Sequence, residues 1–254
     1  MIRIKDIAKS FDEVNVLKGI THEFYKGQNN LIIGRSGAGK TVLLKILIGL
    51  ITPSSGEVWY GDTNFYALGK KEVRSLRMKV GMLFQGSALF DSMTVEENVR
   101  FPLDMFSSMT QGEKDRQVQS CLDRVDLMAA EKKYPSEISG GMMKRVGIAR
   151  AIVLDPKYLF CDEPNSGLDP KTAMVIDSLI SEITKDRNIT TVINTHDMNS
   201  VMEIGDNILL LHNGRIAWTG HHQDVIHSDN EELQEFIFAS PFLKKLRDQA
   251  LKNA

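Results

Sequence analysis

The chain has 254 residues, and its 31 basic and 33 acidic residues give a formal net charge of -2. A chain of this length can bury a substantial core, and the near-neutral balance gives no indication of a nucleic-acid partner. Its two cysteines, Cys121 and Cys161, lack CxxC or Cys/His spacing. That argues against a disulfide scaffold or a zinc site and is typical of packing residues in a reducing compartment.

The N-terminal residues alternate apolar and charged side chains, which is a strand pattern and not that of an export signal. The most apolar stretch, residues 43–51, is interrupted by Lys45. It is also much shorter than the about 20 residues that a membrane-spanning helix needs. We therefore expect any membrane function to depend on separate chains.

Strand and helix signals alternate along the chain and predict an α/β fold with a largely parallel central sheet. Gly-rich turns predict hairpins, and so an antiparallel β layer built from the N-terminal third and the C-terminal strands. No strand is predicted between Gln85 and Arg150, which we interpret as an inserted helical sub-lobe. In chain order, the predicted strands are 2–7, 30–33, 80–84, 158–161, 190–194 and 207–211; the helices are 40–49, 111–125, 142–154 and 171–185; the hairpin turns are 54–56, 60–62 and 212–214.

The first motif with a clear chemistry lies between a predicted strand and a predicted helix and matches GxxxxGK[ST]. Backbone N–H groups of such a loop and the helix N-terminus attract phosphate, Lys40 can reach the β and γ oxygens, and Thr41 can bind Mg²⁺. The alternative is a Gly-rich turn without a ligand. The flanking strand and helix favour a P-loop nucleoside triphosphatase, whose loop reads Gly34-Arg35-Ser36-Gly37-Ala38-Gly39-Lys40-Thr41.

Two adjacent carboxylates, Asp162 and Glu163, follow the apolar strand at 158–161. Successive side chains of a strand point to opposite sides, so the two are suited to different tasks. We expect Asp162 to hold Mg²⁺ through water and Glu163 to polarise the water that attacks the γ-phosphate. The alternative is a pair of solvated acids after a buried strand.

A third motif, Ser139-Gly140-Gly141, stands where a predicted helix begins. A helix start of this kind is a second anion site in a chain that already has one. The order of all these motifs, together with Gln85, Ser166-Gly167-Leu168-Asp169 and His196, resembles that of ABC-transporter nucleotide-binding subunits over residues 1 to about 220.

The resemblance implies the ABC ATPase fold, ATP and Mg²⁺ as cofactors, and ATP hydrolysis coupled to transport. It divides the chain into a cassette at 1–220, with the helical sub-lobe at about 86–150, and a C-terminal helical extension at 221–254. It also implies that two copies pair head to tail. Each copy would then offer Ser139, Gly140 and Gly141 to the γ-phosphate bound by the other.

The same resemblance assigns roles to single residues. Gln85 would reach Mg²⁺ and link the core to the sub-lobe, and Asp169 would contribute to the nucleotide site. His196 would contact the γ-phosphate; an isolated histidine is more often structural, but its position after the strand at 190–194 favours the functional role. Phe11 stands where these cassettes place an aromatic that stacks on adenine, usually a tyrosine. The alternative for Phe11 is a buried core residue at a strand end.

Two positions depart from the commonest pattern without removing a catalytic group: Met142 replaces a glutamine and Asn165 replaces a threonine. Residues 139–145 and 82–95 resemble the cassette of Mla-type, Mce-associated systems, which move phospholipids between the two membranes of a bacterial envelope. That resemblance implies permease subunits, an Mce-domain lipid-binding protein and an accessory regulator as partners. It also implies a cytoplasmic position on the inner face of the inner membrane.

Two apolar segments suggest contacts with partners. Residues 86–100, with Leu89, Phe90 and Met93 exposed, are expected to form a groove for a permease helix, or else only to pad the sub-lobe. The tail at 229–254 has apolar residues at helical spacing. We expect them to pack against the same cassette or, alternatively, against a neighbouring cassette or a regulator. They are Leu233, Phe236, Ile237, Phe238, Phe242, Leu243 and Leu246.

Other classes of P-loop protein fit less well. Translation ABC proteins carry two cassettes and repair members a long coiled coil, whereas this sequence has one P-loop and no sustained heptads. A P-loop metabolic kinase would not need residues 139–141 or His196. The cell-division cassette that regulates wall hydrolysis shares the size and the motifs, and it stays open as an alternative.

Overall fold

The computed structural model describes residues 1–238, which form two β-sheets with helices packed around them. The strands are β1 (Ile2–Phe11), β2 (Val14–Phe24), β3 (Asn29–Ile33), β4 (Ser55–Tyr60), β5 (Thr63–Asn64), β6 (Val80–Leu83), β7 (Tyr158–Asp162), β8 (Thr190–Asn194), β9 (Asn207–His212) and β10 (Arg215–Gly220). The helices are α1 (Lys40–Leu47), α2 (Lys70–Arg77), α3 (Val95–Phe106), α4 (Gln111–Arg124), α5 (Gly140–Ile152), α6 (Pro170–Asp186), α7 (Met198–Ile204) and α8 (Glu231–Ile237).

The central sheet has six strands in the order β10-β9-β3-β8-β7-β6. All neighbouring strands from β9 to β6 pair in parallel, and only β10 is antiparallel, to β9. Because both faces of a parallel sheet are covered, its central strands are buried along their whole length, even at polar residues such as Asn29 and Thr191. Every residue of β3 and of β8 is buried. The largely parallel α/β sheet predicted from the sequence is therefore confirmed.

Side chains of the central strands feed two separate cores in alternation, as the two-residue period of a strand requires. Leu31 and Ile33 belong to a core shared with helices α3 to α8, whereas Ile32 belongs to a second core with α1 and the other sheet. Strand β7 divides in the same way, with Cys161 in the first core and Phe160 in the second. Cys121 also lies in the first core, and both cysteines are free thiols.

The second sheet is antiparallel, with the order β2-β1-β4-β5, and comes entirely from the N-terminal third. The prediction that the C-terminal strands share this layer is wrong, because β9 and β10 lie in the central sheet. The hairpin turns at 60–62 and 212–214 are confirmed. The turn predicted at 54–56 is wrong: Ser55 and Gly56 already belong to β4, and β4 pairs with β1 and β5 but not with β3, the strand that precedes this turn in the chain.

Helices α3, α4 and α5 follow β6 and precede β7 in the chain, within the segment predicted as a helical sub-lobe, and they pack on one another. Capping boxes begin two of these helices: Thr94 with Glu97 starts α3, and Thr110 with Glu113 starts α4. In each box the threonine accepts from a backbone N–H while the glutamate accepts from the cap residue. Within residues 1–238, none of the helices is long and apolar enough to cross a membrane.

The start of the tail packs on its own chain. Leu233, Ile237 and Phe238 are buried in the same core as α6 and α7, and Phe236 packs partly against it. Helix α8 contacts β10 at the edge of the central sheet. Residues 231–238 therefore follow the intramolecular alternative, while the predicted apolar positions Phe242, Leu243 and Leu246 lie outside the described residues.

Candidate active site

The polar motifs meet at one edge of the central sheet because the carboxyl ends of parallel strands lie side by side. The P-loop follows β3, His196 follows β8, Asp162 ends β7, and Gln85 follows β6. Those four strands are consecutive neighbours in the sheet order. Ligands of open α/β sheets bind at this edge, so the topology alone groups residues that are up to 162 positions apart in the sequence.

The P-loop wraps closely around the end of Lys40. The Lys40 ammonium donates to the carbonyl oxygen of Gly34 at 2.8 Å and to that of Arg35 at 3.4 Å. Gly34 has a positive φ, and a Cβ there would lie 2.3 Å from the carbonyl oxygen of Leu211, so only glycine fits. Burial lowers the pKa of Lys40, and the carboxylates of Glu163 and Asp162 oppose this effect.

Glu163 lies between the P-loop lysine and the histidine. Its Oε2 is 2.7 Å from Nδ1 of His196, and its Oε1 is 4.0 Å from Nζ of Lys40. Its backbone adopts φ 51°, in the left-handed region that non-glycine residues rarely occupy, and its N–H donates to the carbonyl oxygen of Asn194 at 3.0 Å. Such backbone strain concentrates at functional sites. This carboxylate can take a proton from a water in the cavity.

Asp162 and Thr41 offer oxygen ligands of the kind that Mg²⁺ prefers. Oγ1 of Thr41 is 3.4 Å from Oδ1 of Asp162, which also accepts from Nδ2 of Asn194 at 3.1 Å. Within residues 1–238, no cluster of three or more His, Cys, Asp or Glu side chains could hold a metal by itself. A magnesium ion bound through one carboxylate, a hydroxyl and substrate phosphates fits this donor set.

A cavity of about 720 Å³ is lined by most of the P-loop, Gln85, Glu163 and His196, but not by Asp162, and by three residues outside the motifs, one of which is Val42. Val16 of β2 and Phe236 of α8 lie in its wall, and Arg35 of the P-loop is 3.5 Å from Glu235 of α8. Nothing in the sequence around Phe236 indicates that it lies near the nucleotide site, because its position there depends on how the chain folds back to bring α8 to the P-loop. The cavity wall comprises Val16, Arg35, Ser36, Gly37, Gly39, Lys40, Thr41, Val42, Gln85, Glu163, His196 and Phe236.

Phe11 is not in that wall. It ends β1 with 43% of its surface exposed, and the Lys9 ammonium lies 4.9 Å from its ring centroid. The alternative of a buried core aromatic therefore does not apply to Phe11, and its stacking on adenine stays a prediction.

Two basic residues of α5 hold the loop that follows β6, and the sequence motifs did not indicate either contact. Lys144 donates to the carbonyl oxygens of Gln85 and, at 3.4 Å, of Glu163. Arg150 donates to those of Ser87 and Ala88, two consecutive residues with positive φ. Burial lowers the pKa of both basic groups. Because Lys144 touches both Gln85 and Glu163, α5 is coupled directly to the cavity.

The Ser139-Gly140-Gly141 motif is placed away from its own P-loop. Ser139 caps α5 by accepting from the N–H of Met142 at 3.3 Å. Gly141 faces α6, where an added Cβ would come within 2.6 Å of Cγ2 of Thr172. Asp169 caps α6 and accepts from the backbone of Thr172 at 3.1 Å. Neither Asp169 nor residues 139–141 lines the cavity.

A larger groove of about 850 Å³ lies beside the loop that follows β6. Phe90 is exposed and lines it, but the expectation that Leu89 and Met93 are also exposed is wrong, because both are half-buried and Leu89 packs on the core. The other wall of the groove belongs to α2, a helix that is not among those predicted from the sequence. The apolar lining is Leu68, Val73, Met78, Val80, Met82, Phe84, Ala88, Phe90, Phe101, Pro102, Phe106, Ala151 and Leu154, with Lys70, Arg74, Arg77 and Arg150 beside it.

Asn165, one of the two positions that depart from the usual pattern, is the first member of a buried hydrogen-bonded chain. Its Nδ2 donates to Oγ of Ser200 at 3.0 Å, and that hydroxyl donates to Oδ2 of Asp177 at 2.8 Å. All three side chains are buried. Burial raises the pKa of the Asp177 carboxyl to about 6, although hydrogen bonds from Ser200 and Asn165 favour its charged form.

This raised pKa predicts a pH-dependent effect of Asp177→Asn on stability. The pKa of this carboxyl is 3.8 when it is exposed and about 6 in the folded chain. Below pH 4 the carboxyl is protonated in both states, and its burial costs least. As the pH rises through 6 the buried group ionises, and the free energy of unfolding falls. The total cost of ionisation is about 3 kcal/mol, and about half of it develops between pH 5 and pH 8. In urea unfolding, the free energy of unfolding of Asp177→Asn should therefore rise relative to that of the wild type by about 1.5 kcal/mol between pH 5 and pH 8.

The control is Glu182→Gln, which neutralises an exposed carboxylate on the same helix. An Asp177→Asn variant whose free energy of unfolding differs from the wild type by a constant amount from pH 5 to pH 8 would contradict the raised pKa.

A P-loop at the end of a parallel strand, beside carboxylates and a histidine that follow or end the other parallel strands, defines a P-loop nucleotide hydrolase. A family model described as "ABC transporter" matches residues 17–166. The chain therefore belongs to the ABC transporter family, and it is an ATP-binding subunit that hydrolyses ATP.

Two relatives carry names that state different cargoes. The chain is 40% identical to the "Methionine import ATP-binding protein MetN" of Carboxydothermus hydrogenoformans, over 100% of this chain and 76% of the relative. It is 37% identical to the "Probable ribonucleotide transport ATP-binding protein mkl" of Mycobacterium leprae, over 93% of this chain and 68% of the relative.

Solved structures share the fold closely. The dimeric cassette MJ0796 bound to ADP and Pi has a TM-score of 0.79 at 30% identity, covering 87% of this chain and 99% of that one. The cbiO1 structure from Clostridium perfringens, part of the transporter complex cbiONQ, has a TM-score of 0.84 at 29% identity, covering 97% of this chain and 98% of that one. The ABC ATPase fold predicted from the sequence is thereby confirmed.

Proposed function

We propose that two copies of this chain bind ATP head to tail and drive phospholipid transport between the membranes of a bacterial envelope. The observation that carries the two-copy arrangement is the placement of Ser139, Gly140 and Gly141 outside the cavity that holds their own P-loop. A helix start with free N–H groups is an anion site. A second copy brings that site to the γ-phosphate, and the dimeric MJ0796 structures support the pairing.

In this dimer the cavity residues divide the work of hydrolysis. Lys40 leaves the P-loop carbonyls for the β and γ oxygens, and Glu163 accepts the proton of the attacking water. His196, hydrogen-bonded to Glu163, contacts the γ-phosphate. Asp162, Thr41 and Gln85 would hold Mg²⁺, which would neutralise charge on the phosphates. The barrier falls chiefly through positioning and charge, as in other phosphoryl transfers.

The groove beside Gln85 is suited to a helix of a membrane permease. Its walls are largely apolar, and Phe84 and Ala88 border the loop that carries Gln85. An apolar helix face buried there would sense whether Gln85 has engaged nucleotide, because Lys144 links that loop to α5 and to Glu163. This contact would hold the chain on the inner face of the inner membrane.

The cargo is proposed from the sequence of two segments. Residues 82–95 and 139–145, which include Gln85, Met142 and Lys144, resemble the cassette of Mla-type, Mce-associated systems. The names of the relatives point instead to methionine import and ribonucleotide transport. Methionine import is thus the second candidate, favoured by 40% identity over the whole chain.

Affinity purification of the native membrane complex through a tag on this chain separates the two candidates. We expect a permease, an Mce-domain protein, an accessory regulator and bound phospholipid to co-purify. The control is the same purification from cells with an untagged chain. Recovery of a permease with a soluble methionine-binding protein, and phospholipid no higher than in the control, would overturn the lipid proposal while leaving the ATPase chemistry intact.

A further inference from the structure

We propose that Asn165, Ser200 and Asp177 are positioning residues for ATP hydrolysis, holding the loop of Glu163 in register with the segment of His196. The proposal rests on the roles of Glu163 and His196 given above. None of the three side chains belongs to the cavity wall, so each acts through the residues that do.

Asn165 and Ser200 lie close in sequence to Glu163 and His196. Asn165 follows Glu163 by two residues, and Ser200 follows His196 by four, in α7. The hydrogen bond between Asn165 and Ser200 is therefore a second link between the same two segments that Glu163 and His196 join at 2.7 Å.

The two links differ in their exposure to water. The side chain of His196 is 66% exposed, so its contact with Glu163 competes with water. The link from Asn165 to Ser200 is buried, and Ser200 is 0% exposed. Hydrogen bonds in a low-dielectric interior are stronger and make a segment more rigid when they form a connected chain. The buried link is thus better suited to fix the geometry.

Asp177 connects the two segments to a rigid helix. Asp177 lies on α6, a helix of 17 residues whose apolar side is packed in the core. By accepting from Ser200 it ties α7 to a rigid element, and Asn165 then ties the Glu163 loop to α7. Glu163 itself has a left-handed backbone, which persists only where its surroundings hold it. The chain of hydrogen bonds supplies such support on the buried side.

Ser200→Ala tests the proposal, because it removes both hydrogen bonds of that hydroxyl. We expect kcat for ATP hydrolysis by the full-length chain to fall about tenfold, since misplacement of reacting groups is costly, while KM for ATP changes less than about twofold. The P-loop contacts of Lys40 are untouched. Ser200→Thr, which keeps the hydroxyl, should restore most of the rate.

The chain contains a matched control. Ser181 of α6 accepts from Nδ2 of Asn29 at 3.0 Å, a buried Asn–Ser hydrogen bond of the same length that does not reach the Glu163 loop. Ser181→Ala should lower the melting temperature as Ser200→Ala does but leave kcat unchanged. Equal losses of kcat in Ser181→Ala and Ser200→Ala would show that the hydrogen bonds of Asn165, Ser200 and Asp177 have only a structural role, and would overturn the proposal.

A double variant provides a test that does not depend on Ser200→Ala alone. Asn165→Ala breaks the same link from the other side, so Asn165→Ala/Ser200→Ala should be no slower than the slower single variant. Additive losses, or wild-type kcat in Asn165→Ala, would overturn the proposal. If Glu163→Gln retained full turnover, the proposed catalytic role of Glu163 would be wrong. If Glu163→Gln abolished turnover while Asn165→Ala and Ser200→Ala kept the wild-type rate, only the proposed positioning role of Asn165, Ser200 and Asp177 would be wrong.

Discussion

Glu163→Gln is expected to abolish ATP turnover while ATP binding is retained. The amide keeps the shape of the side chain and can still contact His196, but it cannot accept a proton from the attacking water. Loss of a general base lowers a rate by about 100-fold to 10,000-fold. Lys40, 4.0 Å from the carboxylate, keeps its contacts with the carbonyl oxygens of Gly34 and Arg35 and remains able to bind phosphate.

Phosphate release under saturating ATP measures the rate, and equilibrium binding of a fluorescent ATP analogue measures affinity. The retained ATP should also trap the closed dimer, which elutes at twice the monomer mass. Glu182→Gln, on the exposed face of α6, is the control and should behave as the wild type. Turnover by Glu163→Gln within about threefold of the wild-type rate would show that another group takes the proton.

The second large effect is complementation between two chains that are each inactive. Lys40→Ala removes the cation that reaches the phosphates, and Ser139→Arg places a bulky cation at the start of α5. Neither variant alone should form a closed dimer with ATP. In a mixture, some dimers have one intact pocket, because the P-loop comes from the Ser139→Arg chain and the helix start comes from the Lys40→Ala chain.

This result follows from the placement of Ser139 to Gly141 outside their own cavity. The measurement is the amount of ATP-bound dimer in size-exclusion chromatography, with both variants made in a Glu163→Gln background so that closed dimers persist. Each variant alone at the total concentration of the mixture is the control. If the mixture yields no more dimer than the two controls, the P-loop and the helix start do not share one pocket.

How far the sequence predicts the fold depends on how local each signal is. The P-loop, the strand before Asp162 and the helix after Ser139 are each specified by a few adjacent residues, and the structure has all three elements. Helix α3 was not predicted although Thr94 and Glu97 form a capping box, a signal that the sequence contains. Pro102 inside that helix weakens its helical pattern.

The sheet to which strands β9 and β10 belong could not be predicted from the local sequence. Their apolar pattern and the turn at Asn213 predict a hairpin, which the structure has. The same pattern would suit either sheet, because the alternation of side chains does not say which neighbour a strand takes. Strand β9 pairs with β3, far away in the sequence, and that choice is made by packing helices on both faces of the parallel sheet.

Local sequence is enough to predict the chemistry, because Lys40, Asp162 and Glu163 lie in motifs whose spacing follows from the geometry of a loop, a strand and a helix. The surroundings of these residues depend on the tertiary structure. Phe236 reaches the P-loop cavity, and Asn165 reaches Ser200, across long stretches of chain. Such contacts depend on the order of strands and the packing of helices, which are long-range choices that no local periodicity records.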